Sequence, residues 1–364
     1  MLGARQSLLT LVAHLDPERF HPVVVVPFKQ GELVDQLSER AITYHRVRMG
    51  QWRKAKFWAR IPLDLYQLRR IAERERIHLV HCNEPHVVPY GLRVARARRV
   101  PCVAHVRLDN VDEKLIINYG LNLVDQIVTV SDAVAQQILY HMPERADRVK
   151  VVPNGVDADE LRNSALPRDE ARKRMGARPG DLIVGQVGLL SVRKRCHILI
   201  EAFAQIAWDY PKAKLFFVGN PGPSDQPYAK MLTKDIERRG LLDRVRLLPF
   251  REDIGSLYSA LDVNVLASAQ EGFGRVLIES AIFGVPSIAT KVGGIPEVVS
   301  DGETGMLVPP EDPKPLAQAL RILLSSEPER ARLGDAARAD ALERFSIARH
   351  TAAMMEVFEG LTAL

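Results

Sequence analysis

The sequence predicts an α/β protein with two doubly wound parallel sheets, and three observations support that fold class. Short apolar segments alternate with amphipathic segments along all 364 residues, the pattern of parallel strands covered by helices. The chain is long enough for two domains of ordinary size. Its composition, 46% hydrophobic and 26% charged, is that of a globular protein with a buried core.

The strand segments fall into two groups. Five are predicted in the first half of the chain, at 23–26, 79–81, 103–105, 126–130 and 149–152, and six in the second half, at 182–187, 214–218, 245–248, 263–266, 286–289 and 305–308. Between 163 and 180 this pattern gives way to charge, proline and glycine, which indicates a domain boundary. We therefore expect domains at 1–165 and 166–345, and a helix at 346–364 that returns toward the first domain.

Composition limits where the protein works. Cys82, Cys102 and Cys196 lie far apart, which argues against a disulfide framework and for a reducing compartment. No apolar run approaches the ~20 residues of a membrane span, and the N-terminus lacks the pattern of an export signal. The sequence predicts a cytoplasmic protein.

The net charge of +5 is concentrated in one stretch. Residues 46–76 contain ten basic and three acidic residues, a net charge of +7, and they include Trp52, Phe57 and Trp58. Basic residues interleaved with aromatic ones suit an anionic membrane surface, here the inner face of the cell membrane. A solvated helix face is the alternative, and nucleic acid is disfavoured because no binding motif accompanies the charge.

The richest candidate site follows the strand at 263–266. In open parallel sheets ligands bind beyond the carboxyl ends of the strands, so two such sheets facing each other would leave a cleft between the domains. Here Glu271 precedes a glycine-rich turn, and a helix opening near Gly274 would offer free N–H groups to a phosphate. Glu271 could accept hydrogen bonds from sugar hydroxyls, and Glu279 could reach a ribose. The alternative is an exposed turn and a solvent-facing glutamate.

Other strand ends carry matching signals. Gly188 ends the strand at 182–187, and Arg193, Lys194 and Arg195 open the next helix, where a basic cluster calls for a nearby anion such as a pyrophosphate. A solvated basic helix start is the alternative. Gly219 and the pair at 293–294 end further strands, and Phe250 follows another, where it could flank a planar base. Together they place close-approach backbone at one end of neighbouring strands.

These residues, in this order, resemble glycosyltransferase family 4, whose members have the GT-B fold. The likeness spans nearly the whole chain and is strongest at 152–157, Lys194 with 202–203, 271–279, 284–286, 293–297 and 301–305. It implies that the C-terminal domain binds a nucleotide-sugar donor and the N-terminal domain the acceptor. It also implies that Glu271 contacts the donor sugar, Glu279 the ribose and Lys194 the diphosphate.

The strand-end signals and the resemblance together give the full set of candidate residues. The catalytic candidates are Glu271, Lys194, Arg107 and His105, and the donor-binding candidates are Gly3, Gly188, Arg193, Gly219, Phe250, Phe273, Gly274, Arg275, Val276 and Glu279. No cofactor or metal is expected besides the donor, a UDP- or GDP-sugar. Asp157-Ala-Asp159 spells a metal-binding string of other transferases, but it lies near the domain boundary.

The chain departs from the family pattern in three places. Leu189 stands where the family has an arginine, and loss of one preorganised donor to phosphate costs roughly 10²–10³ in rate. Arg107 stands where the family has a histidine, with His105 two residues earlier on the same face. Residues 1–7 resemble the glycine loop, with Gly3 in it, but no strand precedes them. We therefore expect a helix at 4–15, a strand at 22–27, and an empty central position in the first sheet, which an upstream strand would fill.

The sequence thus predicts a retaining glycosyltransferase for a glycan or a lipid-linked, cell-envelope acceptor. In such enzymes transfer takes place on one face of the sugar, and the leaving phosphate helps to deprotonate the acceptor. Two other classes stay open. One is a GT-B epimerase or phosphorylase, of which the latter would need pyridoxal phosphate. The other is a catalytically impaired or truncated homologue that binds a sugar nucleotide without transfer, which Leu189 and the missing strand favour.

Overall fold

The computed structural model describes residues 2–362, and the chain divides into two compact units. The first unit comprises Met1–Gly155 together with Ile347–Leu364, and the second comprises Val156–Ser346. The chain passes between the units twice. On the second unit's side, the two passages pair as a parallel bridge between Val156 and Ser346.

The first unit contains two separate parallel sheets. Its strands are β1 (Val23–Val26), β2 (Thr43–Arg46), β3 (Val80–Cys82), β4 (Cys102–Val106), β5 (Gln126–Thr129) and β6 (Val149–Val151). Its helices are α1 (Leu2–His14), α2 (Glu32–Glu39), α3 (Ile61–Arg74), α4 (Val88–Arg98), α5 (Glu113–Tyr119), α6 (Asp132–His141) and, at the end of the chain, α16 (Ile347–Thr362). One sheet has the order β1-β2 and the other β3-β4-β5-β6. Among residues 2–362 no strand pairs with both sheets, so this unit has the predicted interruption.

Helices join the two sheets of the first unit in place of a strand. On α1, Leu9 packs with β1 and α2, whereas Leu11 packs with β4, β5 and α16. On the other face, Val25 and Val80 belong to one apolar cluster with α3 and α4. Cohesion between the sheets therefore comes from side-chain packing, which lacks the directional hydrogen bonds of a ladder.

One sequence expectation for this unit is wrong, and one strand of it was not predicted. Gly3 lies inside α1, which begins at Leu2, and its carbonyl accepts a hydrogen bond from Ser7 Oγ at 2.9 Å, so it is not part of a loop. Strand β2 was not predicted, because the segment Thr43–Arg46 is polar and only half-buried. It is a strand because it pairs with β1, and its sequence has no apolar alternation that would predict one.

The second unit is built on one continuous parallel sheet. Its strands are β7 (Leu182–Val187), β8 (Ala213–Val218), β9 (Val245–Leu248), β10 (Val263–Leu266), β11 (Ser287–Thr290) and β12 (Gly305–Val308). Its helices are α7 (Ala158–Asn163), α8 (Arg168–Arg174), α9 (Cys196–Ala204), α10 (Gln226–Arg238), α11 (Ile254–Ala260), α12 (Arg275–Ile282), α13 (Ile295–Val298), α14 (Pro313–Ser325) and α15 (Glu327–Arg344). The strand order is β12-β11-β10-β7-β8-β9.

Both faces of this sheet are covered by helices. Consecutive residues of β8 show the alternation, because Phe217 packs into the cluster with α9, α10 and α14 while Phe216 packs into the cluster with α8 and α11. From β7 the strands β8 and β9 are added on one side of the sheet, and β10, β11 and β12 are added on the other. The order of strands therefore switches between the neighbours β7 and β10. Such a switch point is where open α/β sheets bind ligands.

The second unit begins earlier than the boundary predicted at 165/166. Helix α7 belongs to it and lies directly against α11, where Gly255 approaches the carbonyl of Leu161. A Cβ added at Gly255 would lie 2.2 Å from that oxygen, so only glycine permits this contact.

Candidate functional site

Four glycine-bearing loops of the second unit lie at the carboxyl ends of adjacent strands β11, β10, β7 and β8. Gly188 after β7 and Gly219 after β8 have φ of 135° and 152°, in the region that favours glycine. A Cβ added at Gly219 would lie 2.0 Å from the Gly188 carbonyl oxygen. The backbone of these two loops is therefore in contact, at the switch point of the sheet.

The loop after β10 carries Glu271, which forms an ion pair with Lys194. Lys194 Nζ donates to Glu271 Oε2 at 2.6 Å, and Ser268 Oγ donates to the same oxygen at 3.3 Å. Lys194 is only 8% exposed, so the predicted alternative of a solvated basic helix start does not hold for it. Burial raises the pKa of Glu271, but the charges of Lys194 and Arg193 outweigh it and bring the pKa below its ordinary value.

Arg193 ties the two loops together. Its guanidinium donates to the Gln270 carbonyl at 2.8 Å, and its own carbonyl accepts from Ala269 N at 2.9 Å. Arg195 points elsewhere and pairs with Glu311 at 2.6 Å. Of the two arginines that could replace the arginine absent at Leu189, Arg193 is thus the one beside Glu271.

The turn after β11 supports Glu271 from behind. Gly294 N donates to the Glu271 carbonyl at 3.0 Å, and a Cβ added at Gly293 would lie 2.0 Å from that oxygen. The predicted convergence of this Gly-Gly turn with Glu271 is therefore present in the structure. It fixes the backbone that carries the carboxylate.

Helix α12 opens at the same edge of the sheet. Gly274 precedes it with φ of 88°, and the aromatic ring of Phe273 is buried in an edge-on contact with Phe345, 5.6 Å between ring centres. Because that ring packs inward, Phe273 can offer a ligand only its backbone. Val276 is half-buried against the cluster that covers α11.

Glu279 accepts hydrogen bonds from two donors, one a helical turn earlier in α12 and the other in the preceding helix, α11. Arg275 Nε donates to its Oε1 at 2.7 Å, and the hydroxyl of Tyr258 donates to its Oε2 at 2.8 Å. The carboxylate side chain is 14% exposed, so the solvent-facing alternative does not describe it. Phe250 lies after β9, and its N–H donates to Asn220 Oδ1 at 3.2 Å. Asn220 directly follows Gly219 in the chain.

The first unit brings together a second polar cluster at the ends of β3 and β4. Arg107 donates to His105 Nδ1 at 3.1 Å, to Asn83 Oδ1 at 3.3 Å and to the side-chain oxygen of Asn154. His81 Nε2 lies 3.4 Å from His105 Nδ1. The two catalytic candidates of this unit, Arg107 and His105, are therefore in contact with each other, and Arg107 also contacts two asparagines.

Both histidines of this cluster are held neutral. Burial, followed by the charge of Arg107, lowers the pKa of His81 to about 3. The same causes, together with His81, lower the pKa of His105 well below its ordinary value. His350 of α16 joins the cluster from the other end of the chain and contacts the Pro153 carbonyl at 2.7 Å. A neutral His105 that accepts from Arg107 orients the guanidinium.

Several of these residues carry no sequence signal of their own. Tyr258 and His350 lie in helices whose pattern reads only as a core-facing stripe, and Asn220 and Ser268 read as ordinary turn residues. Their roles depend on which strands are neighbours in the sheet. The string Asp157-Ala-Asp159 has a structural task at its first residue, since Asp157 caps α7 through Glu160 N at 2.8 Å.

The basic stretch 46–76 is only partly an exposed aromatic surface. Trp52 is packed edge-on against Tyr90 and lies under Arg93, 4.2 Å from its ring centre. Trp58, Leu63 and Tyr66 are exposed, by 60%, 49% and 62%. We call these three side chains, with the neighbouring Arg53, Lys54 and Lys56, the basic-aromatic surface. Among residues 2–362 no helix is long and apolar enough to cross a membrane.

Two Rossmann-like α/β units, each with parallel strands and helices on both faces, define the GT-B class of proteins. Comparisons with known proteins agree. The family model "Glycosyltransferase Family 4" matches residues 2–160, and the model "Glycosyl transferases group 1" matches residues 167–340. The chain belongs to glycosyltransferase family 4.

Individual relatives cover almost the whole chain. Spore coat protein SA of Bacillus subtilis is 31% identical over 98% of this chain and 94% of its own. A D-inositol 3-phosphate glycosyltransferase of Corynebacterium urealyticum is 29% identical, over 92% and 76%. The crystal structure of Anabaena Alr3699/HepE in complex with UDP and glucose superposes with a TM-score of 0.85 at 25% identity, covering 99% of this chain and 96% of that one.

Proposed function

We propose that this protein is a retaining glycosyltransferase whose second unit binds a nucleotide-diphosphate-sugar. The observation that carries the proposal is the mostly buried Lys194–Glu271 pair, set among the glycine loops at the switch point of the sheet. A cation that is mostly buried and lies where backbone N–H groups converge suits a diphosphate. The relative crystallised with UDP and glucose has the same fold over nearly its whole length.

In this proposal each group has one task. The backbone at Gly188, at Gly274 and at the start of α12 receives the diphosphate, and Lys194 neutralises it. Glu271 accepts hydrogen bonds from hydroxyls of the donor sugar, and Glu279 accepts those of the ribose. Phe250 flanks the base. Arg193 keeps the Lys194 and Glu271 loops together.

Donor binding would exchange one partner of Lys194 for another. Without donor, Lys194 neutralises Glu271, and the low pKa of Glu271 reflects that contact. A diphosphate arriving at Lys194 competes for the ammonium and leaves Glu271 with acceptor capacity for sugar hydroxyls. The same residue pair therefore serves the empty and the loaded enzyme. In the loaded state Lys194 pairs with the diphosphate, and Glu271 keeps Arg193, 3.4 Å away, beside the sugar hydroxyls.

In the transfer step the bond between the sugar's anomeric carbon and the diphosphate oxygen breaks. The acceptor oxygen bonds to that carbon on the same face, and the acceptor proton moves to the departing diphosphate. Negative charge grows on the diphosphate, so Lys194 and the N-terminus of α12 stabilise the transition state more than the ground state. No cofactor or metal enters this scheme.

The acceptor would be bound by the first unit, through the cluster around Arg107. Arg107 is positioned by Asn83, Asn154 and His105, and its planar donors suit a sugar hydroxyl or a phosphate of the acceptor. Because His105 is neutral and fully buried, we assign it to orienting Arg107. Glycan and lipid-linked acceptors both fit this chemistry.

The test has two stages. A thermal-shift screen of UDP-, GDP- and ADP-sugars should show one class that stabilises the protein, by about 2.7 kcal/mol at 100 times its Kd. With that donor and candidate glycan or lipid-linked acceptors, NMR of the product should show the anomeric configuration of the donor. An inverted product would contradict the retaining mechanism, and no stabilising donor would contradict the proposal as a whole.

A sugar-nucleotide-binding protein without transfer activity is the second candidate. Leu189 favours it, because the hydrophobic side chain removes a cationic donor from the diphosphate end of the site. Leu189→Arg distinguishes the two. If the chain is an impaired homologue, the substitution should raise turnover at least about tenfold while donor affinity changes little. An enzyme that already uses Arg193 for this purpose should gain less than twofold.

We further propose that the basic-aromatic surface contacts anionic lipid at the inner face of the cell membrane. It combines three exposed apolar side chains within nine residues, Trp58 to Tyr66, with uncompensated cations. Vesicles containing anionic lipid should bind the protein, less so as salt rises. Replacing Arg53, Lys54 and Lys56 together with serine should weaken vesicle binding and leave nucleotide affinity unchanged. Salt-insensitive or absent co-sedimentation would favour the solvated-face alternative.

A further inference from the structure

Tyr258 belongs to the apolar cluster that packs α8 and α11 against the sheet. Among the described residues, it is the one member of that cluster whose side chain hydrogen-bonds to Glu279. Its ring is fully buried among Leu257, Leu261 and Val285, and stacks on Phe283 with 6.4 Å between ring centres. Its hydroxyl emerges from this apolar cluster to donate to Glu279 Oε2 at 2.8 Å. A phenylalanine would fill the same volume, so packing alone does not call for the hydroxyl.

The hydroxyl is a fixed donor. Burial, followed by the negative charge of Glu279, raises the pKa of Tyr258 well above its ordinary value, so the phenol keeps its proton at any physiological pH. Its ring cannot rotate away from the carboxylate, because helix and strand side chains surround it. The direction of the O–H bond is therefore set by the carboxylate that receives it.

The opposite oxygen of Glu279 is held by Arg275. Arg275 Nε donates to Oε1 at 2.7 Å, four residues earlier on the same helix. Each carboxylate oxygen can accept two hydrogen bonds. One donor on each oxygen thus fixes the plane of the carboxylate and leaves one lone pair on each oxygen for a further donor.

We infer that Tyr258 is a positioning residue that, with Arg275, presents the two remaining lone pairs of Glu279 to the vicinal 2′- and 3′-hydroxyls of the donor's ribose. This inference rests on the proposed assignment of Glu279 to the ribose. It makes the site selective for ribonucleotides, because a carboxylate held in one plane gains a bidentate contact only from a vicinal diol. Without Tyr258 the carboxylate keeps its charge but loses its fixed plane.

The experiment measures the affinity of the full-length protein for UDP and for 2′,3′-dideoxy-UDP, or for the GDP pair if the donor screen selects guanine. The ratio of the two Kd values reports the ribose contact alone. Tyr258→Phe should weaken UDP binding about three- to tenfold, the effect of one hydrogen bond to a charged group, and leave dideoxy-UDP binding unchanged. The ratio therefore falls by the same factor.

Tyr228→Phe is the matched control. Tyr228 is another buried tyrosine of the second unit, and its hydroxyl lies 2.8 Å from His197 Nδ1, away from Glu279. The substitution should leave the ratio unchanged. If Tyr258→Phe only loosened the fold, both ligands would weaken equally and the ratio would stay constant, which would overturn the inference.

Glu279→Ala separates this inference from the proposal beneath it. If Glu279 contacts the ribose, the ratio of the Kd values for dideoxy-UDP and UDP should be close to one in Glu279→Ala. A wild-type ratio that Glu279→Ala does not change would refute the ribose assignment, and the role of Tyr258 with it. A ratio that falls in Glu279→Ala but not in Tyr258→Phe would refute the role of Tyr258 alone.

Discussion

The two units use similar strands and helices but hold their sheets together differently. In the second unit the ladder β12-β11-β10-β7-β8-β9 is continuous. In the first, the ladder is interrupted between β1-β2 and β3-β4-β5-β6, and α1, α3, α4 and α16 connect the pieces through side chains. Hydrogen bonds fix the strand ends of the second unit relative to one another. A site that must present backbone N–H groups to a diphosphate requires that rigidity.

The polar clusters of the two units differ in the same sense. In the second unit a charged pair, Lys194 and Glu271, is mostly buried, with side chains 10% and 15% exposed, and mutually neutralised. In the first unit Arg107 donates hydrogen bonds to neutral groups, among them two asparagines and the neutral His105. The charged pair of the second unit suits an ionic ligand that takes the place of a carboxylate. The neutral surroundings of Arg107 in the first unit suit acceptors of varied structure.

The largest expected effect comes from the charged pair. Glu271→Ala should reduce transfer by at least about 10³-fold, because contacts to the donor sugar are lost in the transition state. It also leaves Lys194 buried without its carboxylate, which should cost about 3–5 kcal/mol in the free protein. UDP should therefore stabilise Glu271→Ala more than it stabilises the wild type. Calorimetry and transfer assays measure both, and unchanged turnover would contradict the assignment.

Lys194→Ala should lower donor affinity and turnover together, turnover by about 10²-fold. The diphosphate charge is present in the ground state and grows in the transition state, so both steps lose a partner. Exposed Lys212, also in the second unit, is the control, and its replacement by alanine should change neither quantity. Steady-state kinetics decide the matter. A Lys194→Ala enzyme with wild-type KM and a reduced kcat would argue against ground-state contact.

The interruption of the first sheet can be tested by removing a side chain that bridges it. Leu11→Ala should destabilise the first unit by about 2–5 kcal/mol, since Leu11 is buried between α1, β4, β5 and α16. Hydrogen exchange should quicken in β1 to β6 while β7 to β12 keep their protection. Leu320→Ala, in the core of the second unit, should show the reverse. Equal loss of protection in both units would mean that they unfold as one.

Lowering the pH should destabilise the first unit before it destabilises the second. The folded pKa of His81 and His105 is depressed, so these groups contribute stability that is complete above about 6.5 and is lost as pH falls. Glu271 has a lowered pKa, and its contribution is lost only below its ordinary value near 4.5. Between these values His81 should cost the first unit at most about 1.4 kcal/mol per pH unit, and the lowered pKa of His105 acts in the same direction.

The pH prediction has its own control. His197 of the second unit also has a lowered pKa, but it is only half-buried and should contribute less. His81→Gln keeps a donor and acceptor near His105 and removes the titration. Its first unit should therefore show a shallower loss of stability between pH 6.5 and 4.5. A slope that the substitution does not change would show that other groups govern the acid response.

Much of this architecture was accessible from the sequence because most strands are short runs of apolar residues bounded by polar segments or turns. Strands 23–26, 182–187, 245–248, 263–266 and 305–308 were predicted to the residue. Strand β2 was missed since it is half-buried and polar. Gly3 was misassigned because a glycine near the chain start reads as a loop, whereas Ser7 and its neighbours continue a helix through it.

The residues of the candidate site likewise include some that the sequence predicted and some that it could not. Glu271, Lys194 and the glycines could be found because each follows a strand, and strand ends converge whatever the sheet order. Tyr258, Asn220 and His350 could not, because their partners lie far along the chain and become neighbours only through the order of the strands. The hydrogen bonds that orient the site were therefore beyond sequence reasoning.

The central claim is that the second unit binds the diphosphate of a nucleotide-sugar between the loops after β7 and β10. Hydrogen exchange of the wild-type protein, with and without a saturating donor from the thermal-shift screen, tests it most directly. We expect slower exchange at residues 188–194, 268–276 and 291–297, with unchanged exchange at 213–217 in the buried strand β8. Protection confined to the first unit, or absent from these three segments under saturating donor, would contradict it.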